Sequence, residues 1–339
     1  MTSPRSFILR LSGRCLIAFA VLGSVAVAQK INSNRGFDVV ARPVATGEER
    51  QAQPDLWIFE LHFKSLRMVE VEITDAKTGT KKPELVYYLV YRAINREIDR
   101  KVQEEDIRPV NDLGENPPVN LFVSEISLVT TDNGKRAVVN DSIIPEAQSA
   151  ISRRERLRLL NSVESAQAVP DTVPKDAKDP ESFDGVAIFK GVPADTDFFT
   201  MFLSGFSNGY KLVKGPVSYD ELKQIADDGD LLVSDQVWNG DLNADWRAAA
   251  QVGDLLRSNK FPPDGASTQQ WYYTVTNDRV DDEVAVWRKT LIQDYWRPGD
   301  SFDQNEREIR TKGQPRWIYR PDDAKPAAAA GVETVSSKP

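Results

Sequence analysis

Residues 85–95 read LVYYLVYRAIN, apolar or aromatic at nearly every position. A strand carrying such a run on both faces belongs at the centre of a sheet, with a layer packed on each side. The segments around it carry strand patterns as well. Over residues 56–63, Trp57, Phe59, Leu61 and Phe63 fall on one face, and Glu60 and His62 fall on the other. Residues 66–74 bring Val69, Val71 and Ile73 together, and a Lys77-Thr78-Gly79-Thr80 turn follows. Residues 119–130 resume as strand before Asp132-Asn133-Gly134, the clearest hairpin signal in the chain. Further strands are expected at 183–190, 197–206, 271–275, 284–296 and 316–320. Residues 145–160 read as a helix opened by Pro145. Its Arg153, Arg154, Arg156 and Arg158 are expected to form a solvated face paired with carboxylates.

A different pattern interrupts the strands: GPVSYDELKQIADDGDLLVSDQVWNGDLNADW, from Gly215 to Trp246. Ser218 and Glu221 stand at capping-box spacing. Leu222, Ile225 and Ala226 then share one helical face, and Gly229 suits the stop. Leu231-Leu232-Val233 and Val237-Trp238 return as strand. Asp241 or Asn243 can cap a second helix with Trp246, Ala249, Gly253 and Leu256. With GYKLVK before it, this segment resembles the short bacterial form of the GYF-like module over residues 209–258. The resemblance implies an adaptor that binds proline-rich peptides through aromatic side chains, with Tyr210, Pro216, Tyr219, Trp238 and Trp246 as the peptide-binding candidates. The chain departs from the family at Val217, where Phe is usual, at Gly229-Asp230-Leu231 in place of Gly-Tyr-Phe, and at Tyr210 in place of Trp. A polyproline ligand needs flat, open aromatic walls, so a groove requires Tyr210 and Trp238 side by side and exposed. The alternative is that both tryptophans fill the core of a small unit.

The strands on either side resemble an immunoglobulin-like sandwich. The expected fold is therefore mainly β: an immunoglobulin-like β-sandwich body (residues 55–208 plus 266–320) with an inserted small α+β GYF-like module (residues 209–258). Asn208-Gly209 and Phe261-Pro262-Pro263-Asp264-Gly265 are the expected joints. Residues 29–54 read as a polar, irregular lead-in. The Pro/Ala-rich residues 321–339 lack the apolar bulk to fold, although their two Lys-Pro pairs suit a proline-reading groove on a second copy.

Residues 1–28 carry Arg5, Arg10 and Arg14, an apolar stretch and Ala26-Val27-Ala28 before Gln29, the pattern of a removable signal peptide. Export to the periplasm, the cell surface or the medium follows. Cleavage removes Cys15, the only cysteine, so neither disulfides nor thiol chemistry is expected. It also takes three of 43 basic residues and none of 51 acidic ones, making a chain of net charge −8 more acidic still. Such a balance disfavours nucleic acid as a partner, and no later segment is apolar enough to span a membrane.

His62, the only histidine, would have to serve any His-dependent triad, and no G-x-S-x-G elbow accompanies it. Zinc sites built on Cys and His are excluded on the same count. Asp241-x-Asn243-x-Asp245 has calcium-loop spacing, but Trp246 and Val252 stand where Gly and Glu are required. No metal, cofactor or catalytic residue is expected. The reading is an exported, non-catalytic protein–protein interaction component of the cell envelope, taking a proline-rich or extended segment. The alternative is a carbohydrate-binding or carbohydrate-cleaving protein that uses exposed tryptophans and acids such as Asp235, Asp241 and Asp245.

Overall fold

The computed structural model describes residues 36–75, 77–98, 120–132, 135–193, 196–232, 235–240, 246–261, 269–276, 284–298 and 308–321. All belong to one compact unit, Asn34–Pro339. The expected signal segment 1–28, the calcium-like spacing at 241–245, the hairpin tip 133–134, residues 262–265 of the expected second joint and the tail beyond Pro321 lie outside the described residues.

In chain order the elements are β1 (Val39–Ala41), α1 (Gly47–Ala52), β2 (Glu60–Phe63), β3 (Arg67–Thr74), β4 (Lys81–Ile94), β5 (Leu121–Phe122), β6 (Glu125–Asp132), β7 (Lys135–Asn140) and α2 (Pro145–Glu155). Then come β8 (Gln167–Ala168), β9 (Phe183–Lys190), β10 (Phe198–Ser204), β11 (Tyr210–Val217), α3 (Tyr219–Asp228), β12 (Gln236–Asn239) and β13 (Trp246–Ala248). The series ends with α4 (Ala249–Arg257), β14 (Tyr272–Thr276), β15 (Ala285–Trp296) and β16 (Arg310–Pro321). The fold is mainly β and its antiparallel sheets are consistent with a β-sandwich.

β4 is the centre of the first sheet. One of its edges takes β3 and then β2, with β1 outside β2, and the other edge takes β9. Its side chains alternate between two layers. Tyr87, Leu89, Tyr91 and Ala93 face the second sheet, where they meet Phe199, Met201, Leu203, Leu291 and Tyr295. Val86, Tyr88 and Val90 face α2 through Ile144, Ala147 and Ile151. The two-faced run of the sequence thus has a layer on each side. Phe59 meets Trp57, Phe122, Phe183 and Phe206 edge-on or tilted at one end of this core.

β15 is the spine of the second, nine-stranded sheet. It pairs β16 through most of its length, β11 through residues 285–288 and β10 through residues 291–296. β10 and β11 therefore follow one another along the same edge, and the sheet forks beyond them. β10 leads to β6 and β7, opposite the first sheet, while β11 leads to β14, β12 and β13. Between the branches the chain breaks step at residues 205–209. Gly205 has a φ of +83°, and a Cβ there would run into the Val123 carbonyl. The break is tied down by residues 53–59. Trp57 N donates to Asn208 Oδ1 (2.8 Å), Asn208 Nδ2 to the Asp55 carbonyl (3.0 Å), Ser207 Oγ to the Trp57 carbonyl (3.0 Å) and Phe59 N to the Phe206 carbonyl (2.9 Å).

Two expectations need correction. The segment 209–258 is not simply set between two strands of a separate body, because β11 hydrogen-bonds to β15 and the wing's strands continue the second sheet. Asn208-Gly209 is a bonded junction rather than an exposed joint. The local reading of the wing holds for its first helix, but the second, α4, starts only at Ala249 with Ala248 at its N-cap, so Trp246 stands in β13 rather than on the helix, and residues 231–232 are not strand. Ser218 and Glu221 form the capping box, and Gly229 ends α3 at a φ of +83°. Leu222, Ala226, Val237, Ala249, Val252, Leu256, Phe261 and Tyr272 make a helix-on-sheet core of its own. The lead-in is also more regular than its composition suggests, since it holds β1, paired to β2, and α1.

α2 stops at Glu155, short of residue 160, because Arg156 turns left-handed (φ 57°). This places the Glu155 carboxylate, 4% exposed, against Lys64 Nζ (3.1 Å), Arg67 Nη1 (2.8 Å) and the Tyr88 hydroxyl (2.8 Å). Burial raises its pKa, but the Tyr88 and Lys64 hydrogen bonds and the charges of Arg67 and Lys64 outweigh that and bring it below the ordinary 4.5. Its stabilisation is therefore complete above pH 4.5 and is lost as pH falls through the lower, folded-state value. Glu155→Ala leaves two cations without their buried partner and is expected to cost about 3 kcal/mol, read as a lowered urea midpoint at unchanged slope. A loss below about 1 kcal/mol would place the cluster with ordinary surface pairs instead.

Candidate functional site

The forked wing has two faces. One carries α3 and α4. On the other, register brings Lys211 opposite Trp287, Lys289 opposite Tyr319, Trp238 opposite Tyr273 and Val213 opposite Val275. Period-2 alternation sends these side chains to one side. Val213, Trp238, Val275 and Tyr319 pack there with Tyr273 and Trp287. The lead-in crosses this face as a strap. Trp317 Nε1 donates to the Arg42 carbonyl (3.0 Å), and α1 sits above Lys289 and Tyr319.

Glu49 holds the strap. Its carboxylate completes the capping box of its own helix, accepting from Thr46 N (2.7 Å) while Thr46 Oγ1 accepts from Glu49 N (3.1 Å). It also takes both contacts from Lys289 Nζ (2.7 and 2.9 Å) and a hydrogen bond from the Tyr319 hydroxyl. Burial pushes the carboxyl up, but the Lys289 charge and these hydrogen bonds outweigh it, so Glu49 stays ionised below the usual carboxylate range. Burial lowers Lys289, with Glu49 opposing. Burial together with the Glu49 charge and hydrogen bond raises the Tyr319 phenol.

Beside this pair lies Lys211. Its Nζ is 4.3 Å from the centre of the Trp238 ring and 4.5 Å from that of Tyr319. Among the described residues no carboxylate comes within ion-pair distance of it. Burial lowers its pKa to about 8, and Lys289 adds to this while Glu49 and Glu48 oppose it. Two clefts meet at Lys211. The larger, about 510 Å³, runs between the strap (Val40, Arg42, Val44) and β16 (Pro315, Arg316, Trp317), with Trp238 and Tyr319 at its floor. The smaller, about 190 Å³, lies on the other side of α1 and is bordered by Tyr210, Leu212 and Gln236.

The aromatic residues expected to wall a groove are distributed differently. Tyr210 is half-buried and borders the smaller cleft. Trp238 is 2% exposed, because β12 is an interior strand and its indole packs on Val213 and Val275. The two are thus not a pair of open walls. Pro216 is exposed, follows a cis peptide bond and sits at the irregularity of β11. Tyr219 is on the helix face, its hydroxyl donating to the Phe261 carbonyl (2.6 Å). Trp246 pairs with Trp238 across β12 and β13. Of the acids near Trp238, Asp235 is buried and accepts from Leu232 N (3.3 Å), while Asp241 and Asp245 lie outside the described residues. His62 meets Glu60 Oε1 (2.9 Å), which also takes Arg96 Nε (3.0 Å). No group of three or more His, Cys, Asp or Glu side chains able to hold a metal occurs among the described residues.

Sequence reasoning missed Glu49, Lys211, Lys289, Tyr319 and Trp317. Thr46-x-x-Glu49 is a capping-box signature, but α1 has six residues and buries none of them, so no apolar periodicity marked it. Lys211 and Lys289 did carry a signal: each is a cation alternating with apolar residues on one face of its strand, Lys211 with Val213 and Lys289 with Trp287 and Leu291.

Glu49→Gln keeps the shape of the carboxylate but leaves the Lys289 ammonium buried without a counter-charge. It should cost about 3 kcal/mol in urea unfolding. Adding Lys289→Met should restore part of that loss, and a strictly additive double variant would show that the two do not act as a pair. Comparison with protein-family models, curated proteins and solved structures yields no match for this chain.

Proposed function

We propose that this is an exported, non-catalytic binding protein of the cell envelope, in which an immunoglobulin-like sandwich carries a GYF-like wing and the cleft between strap and wing receives an extended or proline-rich segment of a partner protein. The observation that carries this reading is the cleft of about 510 Å³ between the strap and β16, walled by Trp317, Pro315 and Val44 over the nearly buried Trp238 and Tyr319, a different groove from the open Tyr210–Trp238 pair expected from the sequence. That volume is in the range of small-ligand sites, and flat rings suit the pyrrolidine edges of a polyproline helix. Export rests on Arg5, Arg10, Arg14 and Ala26-Val27-Ala28. No helix among the described residues is long and apolar enough to cross a membrane.

The glycan reading draws on a different place. Trp271, 54% exposed, stands just ahead of β14 and offers a flat platform.

Titration calorimetry with a decaproline peptide and with soluble oligosaccharides separates the two. Saturable peptide binding is expected. Val44→Asp puts a charge on a cleft wall that is 59% exposed, so it should weaken peptide binding about tenfold, ~1.4 kcal/mol, without changing the melting curve. Oligosaccharide binding that is lost in Trp271→Ala, with no peptide binding, would replace the first reading by the second.

A further inference from the structure

The cleft chemistry centres on a group that the peptide-binding reading does not need. Lys211 Nζ borders both clefts, has an aromatic ring on either side and has no carboxylate at ion-pair distance among the described residues. The nearest strong acid, Glu49, is already engaged by Lys289 and Tyr319. We propose that the Lys211 side chain is a reversible covalent capture site for a small aldehyde, which it binds as a Schiff base at the junction of the two clefts.

The atoms balance without an oxidant or a reductant. The neutral Lys211 amine attacks the carbonyl carbon, a C–N bond forms and a proton passes from nitrogen to oxygen. The hydroxyl of this carbinolamine leaves as water as it takes up a proton, and the nitrogen lone pair closes the C=N bond. The proton lost when the ammonium becomes the attacking amine is returned when the hydroxyl departs, so ammonium plus aldehyde gives protonated imine plus water with the same single positive charge at start and end. The Trp238 and Tyr319 faces that attract the ammonium therefore attract the iminium too.

The groups facing Lys211 divide the labour. Burial first, and the Lys289 charge on β15 to a lesser degree, favour the neutral, nucleophilic amine over the ammonium and push the side chain down to about 8 from the ordinary 10.5. Glu49 and Glu48 on α1 oppose this without cancelling it. Glu48 lines both clefts, and burial raises its pKa, with Lys211 opposing and Glu49 adding. Of the two α1 carboxyls that line both clefts it is the one Lys289 does not engage, and in this proposal it gives the proton that the departing hydroxyl needs. Tyr319, raised by burial and by Glu49, stays a neutral phenol and a wall.

The test uses the full chain and pyridoxal as the aldehyde probe, with borohydride reduction and peptide mass mapping. At pH 7.5 the neutral fraction of Lys211 is larger than that of an ordinary lysine by about two orders of magnitude, so even with the lower nucleophilicity of a weaker base it is expected to label at least about tenfold faster than the median lysine. The labelling rate should rise with a midpoint near 8. Lys211→Arg should remove the adduct and leave the fold intact by circular dichroism. Glu48→Gln should slow labelling about tenfold or more although the midpoint moves down, because the Glu48 charge that opposes the lowering is lost. Labelling no faster than at surface lysines, or a midpoint near 10.5, overturns the proposal. The inference stands apart from the peptide reading. A protein that binds decaproline but fails to label Lys211 loses only this site, and one that labels without binding peptide loses only the other.

Discussion

The architecture depends on how one interrupted strand is satisfied inside the protein. β10 and β11 share the same edge of β15, and the five residues between them, 205–209, leave the sheet ladder. Buried backbone that leaves a ladder must find other partners. Residues 53–59 supply them, through Trp57, Asp55 and Phe59, with Gln53 Nε2 donating to the Asn208 carbonyl (3.0 Å). That lacing does two things at once. It lets one sheet branch into a sandwich half and a helical wing, and it carries the preceding lead-in to the wing's open face. Without the break at Gly205–Gly209 the sheet would have one direction, and no cleft would form at the fork.

The second constraint is electrostatic. Placing Lys289 and Lys211 on an apolar sheet face sets two cations in a poorly solvated setting. One is matched by Glu49, and this match is what presses the six-residue α1 onto the sheet. A helix that short has little stability of its own, so its position is owed to the ion pair and the capping box together. The other cation, among the described residues, has the ring faces of Trp238 and Tyr319 at close range. The same strap therefore builds the cleft and leaves a reactive group inside it. Structure and chemistry at this place share one cause.

Much of the body was legible from local pattern. The two-faced run at 85–95 announced a central strand, and β4 has a layer on each side. Ser218, Glu221 and Gly229 marked both ends of α3, because capping and left-handed stops are written in a few adjacent residues. Trp238 was ambiguous for a physical reason. A strand residue faces core or solvent according to what packs on its sheet, and nothing within 209–258 reveals that residues 42–53 lie across it. α2 ended early at the left-handed Arg156, and the Glu155 left at its end meets Lys64 and Arg67, partners some ninety positions away that no local pattern shows.

The amino-acid order by itself determined the central strand at 85–95, most of the strands around it and both ends of α3. These follow from periodicity, turn residues and composition, all short-range properties. Only the tertiary structure decided that the wing continues the body's sheet, that Trp238 is sealed, and that Glu49 meets Lys289 across 240 positions of chain. Strand pairing and buried ion pairs join distant residues, and their energy depends on the solvent exclusion that the finished fold creates.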